Sequence, residues 1–252
     1  MVALTGLARS AVAPLGRALD AVLPPRCLAC QEPMAPPGGL CPDCWPMVRF
    51  LSEPQCQRCG IPLETPGLEV CGHCAAAPPA YGRARAVFAY EEGSRDLILR
   101  LKHADALAGV PVLARWMLRP GAEMLREADW LVPVPLHWRR LFKRRYNQSA
   151  ELARALARSS GVAALPDGLA RTRQTPSQGS LSRTRRRANV RDAFTVPARH
   201  RERIAGRHVV VIDDVMTTGA TVEACAAALL DAGAARADVL CLARVEEGAA
   251  LS

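Results

Sequence analysis

The chain has 252 residues, half of them hydrophobic and 23% charged, with a formal net charge of +9 at pH 7. That composition excludes wholesale disorder, a collagen-like chain and a coiled coil, and the length predicts one domain with a smaller module. Ten cysteines would suggest a disulfide scaffold in a short secreted protein, but this chain is long and its first eight fall in four CxxC pairs. Such pairs favour metal in a reducing, cytoplasmic setting.

Over residues 4–23, Leu4, Leu7, Val12, Leu15, Leu19 and Val22 recur mostly at the spacing of an amphipathic helix, bent or restarted at Pro14. Residues 1–24 are therefore expected to form an N-terminal docking helix. As a membrane-surface helix it has only two arginines on its polar side and no large aromatic anchor. No uncharged run approaches the ~18 residues that span a bilayer, so no membrane insertion is expected.

From residue 25 to 78 the texture turns to Pro, Gly, Cys and short polar turns, too poor in apolar periodicity to build a core without a staple. Cys27, Cys30, Cys41 and Cys44 make one tetrahedral set, and Cys56, Cys59, Cys71 and Cys74 a second. Each CxxC turn offers two sulfurs to one ion, and a second turn closes the tetrahedron. Two structural Zn2+ sites are expected; iron–sulfur clusters are the main rival, and interleaved pairing of the sets remains open. With four cysteines per shell, His73 is expected to be a turn residue, while Gly60 and Gly72 suit the tight turns. If both sites hold zinc as thiolates, the net charge falls to about +5.

Residues 79–252 alternate strands and helices. Strands are expected at 83–90, 129–135, 208–213 and 237–245, and helices at 94–103, 149–159 and 221–232, with Gly161 and Gly233 as stops. This order predicts an α/β fold with a mainly parallel sheet. Cys225 and Cys241 lack CxxC mates and are expected to be buried thiols.

The sharpest motif is VVVIDDVMTTGAT, residues 209–221. Four apolar residues make a central strand, Asp213 and Asp214 lie at its carboxyl end, and Thr217, Thr218, Gly219, Ala220 and Thr221 lead into a helix. Ligands of open α/β sheets bind at that edge, and a helix start with small residues presents N–H groups and a positive dipole end to a phosphate. There is no GxxxxGK and no GxGxxG, which disfavours a nucleotide triphosphatase and a dinucleotide-binding dehydrogenase. The alternative, that the acid and threonines only cap a turn and a helix, explains one or two residues of the string.

Charge is concentrated at 139–207, where eighteen Lys or Arg face four acidic residues. Arg139, Arg140, Lys143, Arg144 and Arg145 precede Asn147, Gln148 and Ser149 at a helix start, where a second anion could sit. Tyr146, Trp138 and Phe142 could stack on a base beside this run, as in single-strand binders, or simply pack the loop. The stretch 171–194 carries seven arginines and almost no apolar residue, and 171–195 is expected to be a long mobile loop of the kind that serves as a lid. Because 31 of the 33 basic residues are arginine, no single arginine is diagnostic. Lys102, one of two lysines, either approaches the site or ends a surface helix.

The string at 209–221 resembles the phosphoribosyl diphosphate motif of type I phosphoribosyltransferases. That resemblance implies that Asp213 and Asp214 hold the ribose hydroxyls while Thr217 to Thr221 cradle the 5′-phosphate. It makes the run through Arg144, Arg145, Asn147 and Gln148 the pyrophosphate loop and 171–195 a flexible hood. In the transfer, Arg183, Arg185, Arg187 and Mg2+ would stabilise charge gathering on the departing pyrophosphate.

The whole series, CLAC/CPDC/CQRC/CGHC, then LKH, VPVPLHWRRL, RRYNQSAELARAL, RTRQTPSQGSLSRTRRRANVRDAF and VVVIDDVMTTGATVEAC, resembles the ComF family of double-zinc-ribbon, phosphoribosyltransferase-like proteins associated with DNA uptake. Arg145 departs from it, standing where family members commonly have glycine. The resemblance implies two functions: a binding module that senses phosphoribosyl diphosphate or a related sugar phosphate while gripping single-stranded DNA or a DNA-uptake helicase, or a Mg2+-dependent transferase acting on an amine or nucleobase. Val2 stands where an exposed cysteine nucleophile would be needed, which disfavours a glutamine amidotransferase.

Overall fold

The computed structural model describes residues 25–34, 39–65, 67–101, 104–137, 141–142, 145–172 and 193–246, with the side chains of 104–106 excepted. The expected docking helix at 1–24, Lys102, Trp138 and most of the expected hood lie outside the described residues. The chain divides into two compact units, 1–46 and 47–252. This division falls inside the cysteine-rich stretch, so each unit carries one set of four cysteines.

In the first unit, Arg26 and Pro33 form an antiparallel bridge, and the Cys27 amide donates to the Glu32 carbonyl at 2.9 Å. The Leu28 amide donates to Gly39 at 3.0 Å and the Trp45 amide to Cys41 at 2.9 Å. These short turns have little apolar material between them.

The second unit contains, in chain order, α1 (Gly72–Ala76), β1 (Ala84–Ala89), α2 (Glu92–Leu101), α3 (Val110–Leu118), α4 (Ala122–Glu127), β2 (Trp130–Pro133), α5 (Gln148–Ser160), β3 (Ala163–Ala164), β4 (Ala170–Arg171), β5 (Phe194–Thr195), α6 (Arg201–Ile204), β6 (His208–Met216), α7 (Ala220–Asp231) and β7 (Arg236–Arg244). Its main sheet runs β1-β7-β6-β2-β3, every pair parallel. Parallel sheets are covered on both faces, so their central strands read as unbroken apolar runs. The HVVVI start of β6 is such a run and is wholly buried. Val209 and Val211 pack with Val222, Cys225, Ala226 and Leu229 of α7, while α5 lies against β2 and β6.

The expected elements form with one consequential difference. Strand β6 runs to Met216 and does not end at Asp213, because β7 continues beside it through Val215–Ala243 and Met216–Arg244. Helix α5 ends as expected at Gly161, which takes a left-handed φ of 80°. The free flank of β1 is covered by residues 49–51: the Leu51 amide donates to Val87 and the Ala89 amide to Arg49, both at 2.9 Å. Phe50 there meets Phe88 and Trp116 edge-on at 6.3 and 5.5 Å between ring centres.

The ends of the expected hood are tied. Ala170–Arg171 pairs antiparallel with Phe194–Thr195, and the Thr172 amide donates to Ala193 at 2.9 Å. At the amino-terminal rim of the sheet, the fully buried Asp238 accepts from the Arg83 amide at 3.0 Å and guanidinium at 3.1 Å, and from Arg236 at 3.2 Å. His208 Nε2 lies 3.1 Å from the same carboxylate.

Candidate functional site: two cysteine centres and a rim of acids and amides

The sulfurs group in chain order. Those of Cys27, Cys30, Cys41 and Cys44 lie within 4.8 Å of one another, as do those of Cys56, Cys59, Cys71 and Cys74, so the sets do not interleave. The Cys30–Cys41 and Cys59–Cys71 sulfurs are each 3.7 Å apart. A tetrahedron with Zn–S near 2.3 Å places sulfurs about 3.8 Å apart. That spacing suits one ion, whereas the thiolates of a multi-iron cluster sit on separate irons.

Backbone amides prepare the thiolates. The Cys41 amide donates to Cys27 Sγ and the Cys71 amide to Cys56 Sγ, each at 3.3 Å. Burial opposes ionisation of Cys27, but amides of Cys41, Cys30 and Ala29 outweigh it and draw the thiol down to about 6. Burial and then the neighbouring Cys41 sulfur push Cys44 up to about 12. Four crowded thiols therefore fit a dication that offsets half of their charge as thiolates, and both centres are closed zinc-ribbon sites of four cysteines each.

Of the two turn glycines, Gly60 is required. Its φ is 68° and a Cβ there would meet the Ala84 carbonyl oxygen at 2.5 Å. Gly72 opens α1 with open space around it, so the turn does not depend on it. His73 lies in α1 and is outside both ligand sets.

Within the second unit, α5 meets β6 at its carboxyl rim. Asp213 and Asp214 are each 8% exposed. Ser149 Oγ donates to Asp213 Oδ1 at 3.1 Å, Gln148 Nε2 to Asp214 Oδ2 at 3.0 Å, and the Asp214 and Val215 amides to Asp213 and Asp214 at 3.0 and 2.8 Å. Burial, then the charge of Asp214, pushes the Asp213 carboxyl well above the usual range, against the Asp214 amide and Ser149. The buried thiols Cys225 and Cys241 lie within the field of this pair, burial pushing both well up.

The loop after β6 fits an anion. Gly219 caps α7 with a left-handed φ of 79° and provides no side-chain bond to the helix start. The first N–H groups of α7 have no partner within the helix, and Thr218 Oγ1 is buried with none. Gly219, and not a threonine, stands at the N-cap position of α7. A Cβ on Gly219 would stand 2.9 Å from Met216 Cε, the end of a flexible side chain that can turn aside, so it is the left-handed turn that demands glycine.

The start of α5 reaches the same rim. Asn147 caps α5, its Oδ1 accepting from the Ser149 amide at 3.1 Å and its Nδ2 donating to Val134 at 3.0 Å. Tyr146 donates its hydroxyl proton to the Leu101 carbonyl, which ties α2 to this turn. Arg145 has a φ of 64°, the backbone that a glycine would favour. Phe142 is 86% exposed. Arg139, Arg140, Lys143, Arg144, Arg183, Arg185 and Arg187 lie outside the described residues.

The structure thus brings together Gln148, Asp213 and Asp214, with the Thr217–Thr221 loop following directly in the chain. Sequence reading missed Ser149 as the partner of Asp213; its place beside Asn147 and Gln148 was the only signal. It also missed Tyr81, whose hydroxyl stands 3.7 Å from the position of a Cβ on Gly219.

Residues 18–75 match the double zinc ribbon domain and residues 147–252 the phosphoribosyl transferase domain. Fold and site together define a double-zinc-ribbon protein with a phosphoribosyltransferase-type body. DNA utilization protein YhgH of Salmonella typhimurium strain LT2 is 35% identical over 228 residues, covering 88% of this chain and 98% of its own. Its counterpart in Escherichia coli K12 is 34% identical over the same length and shares. Competence protein F of Haemophilus influenzae Rd is 29% identical over 225 residues, 87% of this chain and 96% of its own. The chain belongs to the ComF family.

Proposed function

We propose that the carboxyl rim of β6 binds phosphoribosyl diphosphate or a related sugar phosphate with Mg2+, in a cytoplasmic protein that handles single-stranded DNA during uptake. The observation that carries the binding reading is the uncapped start of α7, with left-handed Gly219 and the unpartnered Thr218 Oγ1, directly after a buried acidic pair. Amides of Thr217 to Thr221 receive the phosphate, and Asp213 and Asp214 receive the ribose hydroxyls. Mg2+ supplies positive charge to the diphosphate. In this reading the run through Arg144, Arg145, Asn147 and Gln148 serves as the pyrophosphate loop.

The names of the relatives, a DNA utilization protein and a competence protein, support the DNA-handling part, as do the arginine excess over 139–207 and the exposed Phe142. A DNA-uptake helicase is the protein partner expected of this role, and 1–24 its docking segment. Among the described residues no helix is long and apolar enough to cross a membrane.

Calorimetry with phosphoribosyl diphosphate and Mg2+ tests the pocket. Asp213→Asn with Asp214→Asn should abolish binding while zinc content stays near two per chain; undiminished binding overturns the assignment. A second reading, a phosphoribosyltransferase, is favoured by the intact acidic pair. In it Arg183, Arg185 and Arg187 stabilise the departing pyrophosphate. Pyrophosphate release with a panel of amines and nucleobases checks it. DNA affinity that falls steeply with salt, and less steeply once the three arginines are replaced, supports nucleic-acid contact.

A further inference from the structure

Phe142 is 86% exposed, more than any other large hydrophobic side chain among the described residues, and its neighbour Leu141 is 42% exposed. A ring left in water adds nothing to the hydrophobic core, so fold stability gives no reason for its position. Tyr146, four positions on, behaves oppositely: it is half-buried and its hydroxyl donates to the Leu101 carbonyl. The structure thereby separates two aromatic residues that the sequence places in one run, packing one and presenting the other.

The backbone on either side of Phe142 is held. The Leu141 amide donates to the His137 carbonyl at 3.0 Å, and the Arg145 amide to the Leu141 carbonyl at 2.7 Å, each a helical turn in span. Tyr146 then ties the segment to α2, and Asn147 Nδ2 ties it to Val134, just after β2, at 3.0 Å. Gln148 follows, donating to Asp214 at 3.0 Å, so the ring stands on the segment that enters the carboxyl rim. A platform anchored in this way loses little freedom when something settles on it.

The surrounding charge selects the occupant. Arg139, Arg140, Lys143, Arg144 and Arg145 all lie within three positions of Phe142 in the sequence, and no acidic residue occurs between Asp129 and Glu151. A protein groove that accepted this ring would have to supply acids for those cations. A nucleic-acid strand brings a phosphate with every base. In a duplex the base faces are already covered by their neighbours, whereas a single strand leaves them free to stack on a side chain.

We propose that Phe142 is a base-stacking platform for single-stranded nucleic acid, taking the bare face of any base while the flanking cations take the phosphates on either side. The stack rests on the nucleic-acid reading given above and adds to it the residue and the chemical feature that is recognised.

The test uses the full zinc-loaded chain, a fluorescein-labelled oligothymidylate and its duplex with oligodeoxyadenylate, titrated by anisotropy over a range of salt. Phe142→Ala should weaken single-strand binding about tenfold, the size of one lost base–aromatic stack. The slope of log affinity against log salt should keep its wild-type value, because no charge is removed. Phe142→Trp should bind at least as tightly as wild type, and Phe142→Leu, apolar but without a ring face, should lose as much as alanine. Duplex affinity should be the same in all four proteins. The side chain is exposed, so each variant should fold and hold its zinc.

Wild-type affinity in Phe142→Leu overturns stacking in favour of a merely apolar contact. An equal loss on the duplex overturns the choice of a single strand. Wild-type affinity in Phe142→Ala overturns the platform altogether and leaves the ring to a protein partner, with the nucleic-acid reading intact. Absence of any strand binding in the wild type sinks that reading and the stack together.

Discussion

Ser149 donates its hydroxyl proton to Asp213 across 3.1 Å, joining the first turn of α5 to the carboxyl rim of β6. The two residues are 64 positions apart in sequence, and both are almost wholly buried. Such a bond favours the ionised carboxylate, which burial and Asp214 otherwise oppose. Ser149→Ala should therefore destabilise the protein by about 1.5–3 kcal/mol at pH values where Asp213 is ionised. Because Ser149 draws down a native pKa that burial and Asp214 hold well above the usual carboxylate range, the penalty should shrink as pH falls through that native value and the carboxyl takes up its proton. Chemical denaturation of both proteins across pH checks this.

Gly219→Ala places a Cβ on a left-handed backbone, a cost of about 1–2 kcal/mol, while the Met216 methyl it would meet can turn aside. Stability should fall by about that amount, and phosphate-dependent calorimetric signal should vanish. Retained anion binding in Gly219→Ala would show that the α7 start is not the anion's seat.

Arg145 offers the opposite case. Replacing it by glycine relieves a left-handed side-chain penalty of about 1 kcal/mol while removing a positive charge. Arg145→Gly is expected to hold or raise the melting temperature and to weaken salt-sensitive DNA binding. Thermal melting and binding titrations separate the two effects.

Asp238 governs acid stability. Burial raises its pKa, but the His208 hydrogen bond, the charges of Arg236 and His208 and the Arg83 amide prevail and lower it. Because the native value lies below the unfolded one, the contribution is complete above about pH 4 and is lost as pH falls through the native value. Asp238→Asn should cost about 3 kcal/mol at neutral pH and converge with wild type in acid. Equal acid midpoints for the two proteins would contradict this.

Local signals were readable from the chain. CxxC spacing gave the four ligand pairs, though folding was needed to show that they close in chain order; VVVID gave the central strand and Gly161 the end of α5, because each depends on residues within a turn or two. Features set by distant partners were not. Strand β6 extends to Met216 because β7 is there to receive it. The 49–51 strap exists because β1 has a free flank. The hood's tied ends depend on two residues facing two others some twenty positions away. Arg144, Arg145, Asn147 and Gln148 were grouped by charge and motif, but only folding reveals that Asn147 caps a helix and Gln148 meets Asp214.

The two rims of the sheet treat their acids oppositely. Asp238 is surrounded by cationic side chains, whereas among the described residues Asp213 and Asp214 are met by a hydroxyl, a side-chain amide and main-chain donors. One end of the open sheet is thus electrically self-sufficient, and the other keeps an appetite for a visiting cation or hydroxyl. Mutational scans scored by thermal survival would light up the first rim and pass over much of the second, where damage shows only when something is there to be bound.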